Sequence, residues 1–282
     1  MCSSDLAQAT GQLEHPNIVP VHDLGVDGDG RVYFTLKYVQ GMSLQQVIRG
    51  RNDDAMDGDA RFRDAYSPLR MLEILISICQ AVAYAHSKGI IHRDLKPANV
   101  MLGKYGEVLV MDWGLAKVIG RKPTPGHADP ANETIRITTS RAEDAAQDTM
   151  EGSVAGTPAY MSPEQAGGRV GELDRRTDIY ALGAMLYEIL SGAPPYRGSS
   201  ALDVVKQVVQ GPPPPIGKQK GSDGFAPIPR ELAAICEKAM ARRAVDRYPS
   251  AQNLRDDLQA YLENRPVSAA PDTRLQQLAK WI

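Results

Sequence analysis

The stretch Ile90–Leu102, IIHRDLKPANVML, has apolar residues at both ends of a run in which His92, Arg93, Asp94, Lys96, Pro97 and Asn99 follow one another at irregular intervals. Neither a period of 2 nor one of 3.6 residues accounts for that order, so neither a strand nor a helix places these side chains. The pattern is that of a polar loop held between two buried anchors, and the chain on either side must supply the rest of whatever this loop does.

Length and composition narrow the field. The 282 residues are enough for one or two domains with a sizeable core, and 43% hydrophobic with 23% charged residues is an ordinary globular balance. With 32 Lys+Arg against 34 Asp+Glu, the net charge of -2 exerts no long-range pull on nucleic acid or an anionic membrane, so neither is an expected partner. Cys2, Cys79 and Cys236 are too few and too far apart for a disulfide framework or a metal-ligand pattern, which fits a reducing, cytoplasmic compartment. The longest apolar run, IYALGAMLYEIL (Ile179–Leu190), is too short to cross a bilayer and carries Glu188; it reads as a buried helix, and no membrane segment or signal peptide is expected.

Outward from the opening stretch, IVPVHDLG (Ile18–Gly25) and RVYFTLKYV (Arg31–Val39) read as strands joined by a VDGDG turn. Leu72, Leu75, Ile76, Cys79, Val82, Ala83 and His86 recur at helical spacing, with Gly89 placed to stop the helix. EVLVMDWG (Glu107–Gly114) is a short strand ending in Asp-Trp-Gly. Gly50–Tyr66 reads as a surface loop, and Gly120–Gly152, polar and aperiodic, as a mobile one. Helical patterns return over Thr177–Leu190, Ala201–Val209, Glu231–Ala241 and Ser250–Leu262. Strands first and helices after predict an α+β fold.

HRDLKPAN (His92–Asn99) followed by DWG (Asp112–Gly114) resembles the catalytic and metal-binding loops of protein kinases of the bacterial serine/threonine type. The resemblance implies a bilobal fold and transfer of the ATP γ-phosphoryl group to Ser or Thr hydroxyls of protein substrates, with Mg²⁺. It implies Asp94 as the base, Lys96 as the phosphate-contacting cation, and Asn99 and Asp112 as the metal ligands, with Trp113 in place of the usual Phe. Taken singly, an Asp–Lys pair is a surface ion pair, Asn99 a turn former and Asp112 a strand-end cap. Together and in this order they carry the resemblance, because later segments agree with it. GTPAYMSPEQA (Gly156–Ala166) is similar to the end of an activation segment, with Thr157 facing Asp94 and Lys96; a Gly/Pro turn before a helix at Pro163 is the plainer alternative. Asp178 in DIYALG is expected to hold the catalytic-loop backbone, Arg247 to pair with Glu164, and His92 to act as scaffold. Leu36, Lys37 and Val39 in FTLKYVQGMSL are implied on the adenine side, with Met101 as its floor; the alternative is a strand running into a helix capped by Ser43. Arg93 is implied to bind phosphate on the long segment 112–164, with Thr149 or Ser153 as the phosphorylated residue.

The same resemblance leaves parts unaccounted for. The 282 residues hold no G-x-G-x-x-G before the strands and no strand Lys to meet the phosphates, and the position of that Lys's Glu partner is Leu6. One expectation is that residues 1–6, MCSSDL, are non-native, with the family pattern resuming at Ala7; a genuinely short start is the alternative. The expected organisation is a truncated N-lobe over 1–38, hinge and C-lobe over 39–264, and a juxtamembrane-like linker over 265–282. A catalytically incompetent, kinase-like scaffold is the alternative function. Association of two kinase domains, and a membrane anchor in a longer protein, are left open.

Overall fold

The computed structural model describes residues 13–26, 28, 32–52, 60–113, 117–118, 158–222 and 224–270. Strands β1 (Val21–Val26) and β2 (Val32–Leu36) form an antiparallel hairpin that pairs Val26 with Val32 and Leu24 with Phe34. A second antiparallel sheet has the order β3–β5–β6, from β3 (Gly41–Ser43), β5 (Val100–Gly103) and β6 (Val108–Val110). Two two-residue strands, β4 (Ile90–Ile91) and β7 (Lys117–Val118), flank the β5–β6 pair in sequence and pair with each other. Gly41 is required where β3 meets β5, since a Cβ there would lie 1.9 Å from the carbonyl oxygen of Leu102.

The helices are α1 (Leu44–Asn52), α2 (Ala60–Ala65), α3 (Pro68–Ser87), α4 (Pro163–Ala166), α5 (Arg175–Ser191), α6 (Ala201–Gln210), α7 (Arg230–Ala239) and α8 (Ala251–Leu262). Local chemistry sets their ends. Ser43 Oγ accepts the Gln46 amide while Gln46 Oε1 accepts the Ser43 amide, which starts α1. Ser67 caps α3 with Pro68 at its first position, and the chain leaves that helix through Lys88 and Gly89, the latter at φ 75°. Asp174 caps α5, and Gly192 at φ 76° ends it.

Every residue of α5 from Thr177 to Leu190 is buried, so the apolar run is the central post of the molecule. Helices α3, α7 and α8 pack around it. Gly183 lets α7 come close: a Cβ there would meet Ala239 Cβ at 2.8 Å and Met240 Cγ at 2.7 Å. Helix α3 is the one described helix long and apolar enough to cross a membrane, yet more than half of its apolar window is buried within the protein and it packs on α8. The result is a small sheet-bearing N-terminal region on a larger helical part, the α+β arrangement expected above.

Two stretches carry more order than their composition announces. Gly50–Tyr66, expected as a loop, contains the end of α1 and all of α2. Arg51, 5% exposed, donates to the carbonyl of Tyr66 fifteen residues on, and the Phe62 and Tyr66 rings meet tilted at 5.0 Å, so side-chain contacts organise a polar segment. Of the stretch 265–282, residues 265–270 lie against the helical part with Val267 and Ala270 buried, while 271–282 fall outside the described residues. Asp257 of α8 holds this turn by accepting the amides of Ser268 (2.8 Å) and Ala269 (3.1 Å) and the hydroxyl of Ser268 (2.8 Å), with Tyr248 as a further donor (2.7 Å).

Segment 13–19 fastens the N-terminal region down. Asn17 carbonyl accepts the Val110 amide (2.8 Å), Val19 amide donates to Val110 carbonyl (3.1 Å), and Asn17 Nδ2 reaches Val108 carbonyl (3.0 Å). With Leu13, Ile18 and Val19 buried, this segment acts as an added strand-like edge on β6.

Candidate functional site

The loop between β4 and β5 is held from beneath by one buried carboxylate. Asp178, 1% exposed in α5, accepts the Arg93 amide on Oδ1 (2.8 Å) and the His92 amide on Oδ2 (2.8 Å). His86 Nε2 donates to the same Oδ2 (2.8 Å) from the last turn of α3. Burial pushes the Asp178 carboxyl up, but the hydrogen bond and charge of His86 and the donors at His92 outweigh it and leave it below the ordinary range. Arg93 takes a left-handed backbone, φ 67°, which this pair of amide bonds stabilises. Burial lowers the proton affinity of its guanidinium, and the charge of Asp178 offsets that only in part.

His92 is fully buried against Trp113, ring centroids 4.6 Å apart. Its Nδ1 accepts the Asp94 amide (3.2 Å), so the other nitrogen, Nε2, carries the hydrogen donated to Met111 carbonyl (3.0 Å). Both ring nitrogens are thus committed to backbone. Trp113 Nε1 donates to Val110 carbonyl (3.4 Å), which seats the indole in the core.

On this base stands a cluster of polar side chains. Lys96 Nζ donates to Asp94 Oδ2 (2.9 Å), with the two side chains 18% and 15% exposed. Asn99 Nδ2 reaches the same Oδ2 (3.2 Å) and the Asp94 carbonyl (2.9 Å). Among the described residues nothing donates to Asp94 Oδ1. The Met111 amide donates to Asn99 carbonyl (2.8 Å), continuing the β5–β6 pairing by one step and setting Asp112 at the open end of that hairpin. Asp112 is exposed, at φ 58°. Because Asn99 Nδ2 is engaged with Asp94, its Oδ1 is the free acceptor of that amide. Asn99 Oδ1 and the Asp112 carboxylate are hard oxygens of the kind Mg²⁺ takes while keeping coordination places for water and phosphate. Among the described residues no group of three or more His, Cys, Asp or Glu could hold a metal ion.

The segment after residue 157 is pinned to the same scaffold. Arg247 makes a bidentate pair with Glu164, Nη1–Oε1 2.7 Å and Nη2–Oε2 2.8 Å, both buried, and Thr177 Oγ1 adds a bond to Glu164 Oε1 (3.2 Å). Burial raises the Glu164 carboxyl, and the Arg247 bonds and charge more than reverse it. Ser162 and Gln165 form a reciprocal cap at the start of α4, and Gln165 Nε2 donates to Arg93 carbonyl (2.7 Å). Tyr160 hydroxyl donates to Glu188 Oε2, and Gln45 Nε2 to Glu188 Oε1 (3.1 Å), which joins α1, the Pro158–Tyr160 turn and α5. Burial raises the Glu188 carboxyl above its usual range against those two donors.

The structure therefore gathers His92, Arg93, Asp94, Lys96, Asn99 and Asp112, and joins Glu164, Asp178 and Arg247 to them. Val39 leads into β3, which lays Ser43 beside Met101 on β5; Met101 is 6% exposed. Leu36 ends β2, and the amide of Lys37 just beyond it donates to the Pro20 carbonyl (3.0 Å). Thr149, Ser153 and Thr157 lie outside the described residues. Sequence reading missed His86, Tyr160 and Gln165. His86 looked like one more residue of a helical stripe, and only its place six residues before His92 hinted at a shared partner. A cleft of 430 Å³ beside Tyr187, Pro195 and Arg197 shares no residue with this cluster.

Comparison with known proteins agrees with this geometry. The family model for the protein kinase domain matches residues 7–258. Serine/threonine-protein kinase PknD of Protochlamydia amoebophila is 37% identical over 264 residues, 92% of this chain and 25% of that protein. PknD of Chlamydia trachomatis is 36% identical over 261 residues, 92% and 27% of the two chains. PknB of Mycolicibacterium smegmatis, also named a serine/threonine-protein kinase, is 36% identical over 255 residues, 89% and 34%. The chain thus spans only a quarter to a third of the curated relatives it matches. With the catalytic-loop geometry and the family match in agreement, this chain belongs to the protein kinase family, among relatives named bacterial serine/threonine-protein kinases.

Proposed function

We propose that the protein transfers the γ-phosphoryl group of ATP to Ser and Thr hydroxyls of protein substrates on the cytoplasmic side of the cell, with Asp94 at the reacting centre. The observation that carries this reading is the Asp94 carboxylate itself: Oδ2 is held by Lys96 and Asn99, which leaves Oδ1 to meet a hydroxyl. Mg·ATP, when bound, supplies the phosphoryl group and its leaving group. The chain's own part is positioning and charge, which this reaction mainly needs. Asp94 orients the attacking hydroxyl and accepts its proton at Oδ1. Lys96, already beside Asp94, carries the positive charge the phosphoryl oxygens require. Asn99 Oδ1 and Asp112 would hold the metal, while Val39 and Met101, with Leu36 and Lys37, would contribute to the adenine side. Asp178, Glu164, Arg247 and His92 keep this loop in shape, and Thr157 would stand near Asp94 and Lys96.

Arg93 is proposed to receive the phosphate of Thr149 or Ser153, drawing the segment 112–164 toward the loop. Phosphopeptide mapping of active protein tests this, and finding neither residue modified would dismiss it. Cys79 and Cys236, both buried free thiols, are in keeping with a reducing compartment.

A second reading is a kinase-like scaffold without transfer, favoured by the lack of a G-x-G-x-x-G and of the strand Lys in these 282 residues. A radiolabelled phosphate-transfer assay on a general Ser/Thr protein substrate separates the two. Transfer that falls about a hundredfold or more in Asp94→Asn supports the enzyme. Equal, background incorporation in both proteins supports the scaffold.

A further inference from the structure

We infer that Gln165 is a positioning residue for the catalytic loop: its side-chain amide fixes the peptide plane that leads into Asp94. This rests on the proposed role of Asp94. The Arg93–Asp94 peptide is held at both of its polar atoms by side chains, one from α4 and one from the loop itself. Gln165 Nε2 donates to its carbonyl (2.7 Å), and His92 Nδ1 accepts its N–H (3.2 Å). One residue earlier, the Arg93 N–H is taken by Asp178 Oδ1 (2.8 Å). Arg93, at φ 67°, stands in a region that side-chain-bearing residues populate sparsely, so this turn holds only while its surroundings hold it. Removing the Gln165 bond frees one face of the plane and lets Asp94 swing relative to Lys96 and Asn99.

The orientation of the Gln165 amide follows from its partners. Arg93 carbonyl needs a donor, and Ser162 offers donors: its N–H at 3.2 Å and its hydroxyl at 3.3 Å from Gln165 Oε1. Rotating the amide would set oxygen against oxygen at Arg93 and nitrogen against nitrogen at Ser162. Gln165 also sits next to Glu164, which Arg247 and Thr177 lock in the core. The grip on Arg93 therefore comes from a rigid base, not from a freely moving side chain. A Glu at this position would make the same cap with Ser162, as Glu commonly does three residues into a helix. It could not donate to Arg93, and that difference sets the Gln apart from a simple helix cap.

The test is Gln165→Glu, which keeps the cap and turns the donor into an acceptor facing the Arg93 carbonyl, with Gln165→Met as the uncharged variant should the first fail to fold. Transfer kinetics and amide hydrogen exchange by NMR are measured on wild type, variant and Asp94→Asn. The inference expects kcat to fall by about tenfold to a hundredfold with the KM for protein substrate unchanged. It also expects exchange at the Arg93 and Asp94 amides to quicken about tenfold, with the neighbouring His92 amide unaffected. Unchanged exchange at Arg93 and Asp94, or an equal rise at His92 reporting general loosening, overturns it. So does an unchanged kcat where Asp94→Asn abolishes transfer. If wild type and Asp94→Asn transfer equally little, the proposed role of Asp94 is what fails, and the exchange data still decide whether Gln165 pins the plane.

Discussion

At the residue scale, the site depends on buried charges that pair with one another. Glu164 and Arg247 satisfy one another so fully that removing the cation strands a carboxylate in the core. Arg247→Met is expected to cost about 3–5 kcal/mol of stability in denaturant unfolding, and Arg247→Lys to recover only part of it, because a point charge cannot reproduce the two-pronged bond. The pair also makes stability depend on pH in a definite sense. Glu164 and Asp178 both sit below the ordinary carboxylate range in the folded protein, so the unfolded chain binds their protons more readily. Their stabilisation is present in full above about pH 5 and is lost as the pH falls through their folded values. Unfolding free energy measured from pH 6 down to pH 3 should therefore decline, and the decline should be shallower in Arg247→Met, which no longer depresses Glu164. A pH slope identical to wild type would contradict this account of the pair.

At the scale of elements, what is legible in the sequence depends on whether the signal is local. The helices α3, α5, α6, α7 and α8 were readable because their apolar stripes, and in α3, α5 and α6 a Ser or Asp cap and a terminal Gly, are neighbours in sequence. The order within 50–66 and 265–270 was not readable, since it comes from single polar side chains contributed at long range: Arg51 to Tyr66, and Asp257 to Ser268 and Ala269. The sequence shows only a polar stretch in the first case and a linker-like one in the second. Asp257→Ala is expected to free the turn 265–270 and to cost about 2–3 kcal/mol, since four donors lose their acceptor. Limited proteolysis followed by mass spectrometry should then show cleavage near Arg265 in the variant well before the rest of the chain is cut. Resistance equal to wild type would mean that Val267 and Ala270 hold the turn by packing alone.

At the scale of the whole molecule, the helical part is an extensive core around α5, while the N-terminal region is thin. The β1 and β2 strands pair with one another, and Val26 and Tyr33 on that hairpin are 63% and 46% exposed. Segment 13–19 ties this region to β6, but the 282 residues contain no Gly-rich phosphate loop. Calorimetry on these 282 residues is therefore expected to give Mg·ATP binding weaker than about 100 μM, accompanied by self-association in light scattering. A monomer binding Mg·ATP at about 1 μM would show that the helical part and hairpin suffice for the nucleotide.

The amino-acid sequence by itself determined the α+β class and the approximate extents of α3 and α5 to α8, because apolar periodicity is a short-range property, while the cluster from His92 to Asn99 with Asp112 was marked by its resemblance to protein-kinase motifs. Only the tertiary structure decided how that cluster is held. His86 on α3, Asp178 on α5, Gln165 on α4 and Arg247 before α8 come from four separate parts of the chain, and each meets its partner only after the core has closed around α5. A buried polar group takes whichever partner the packing brings within hydrogen-bond reach, and no periodicity along the chain encodes that encounter.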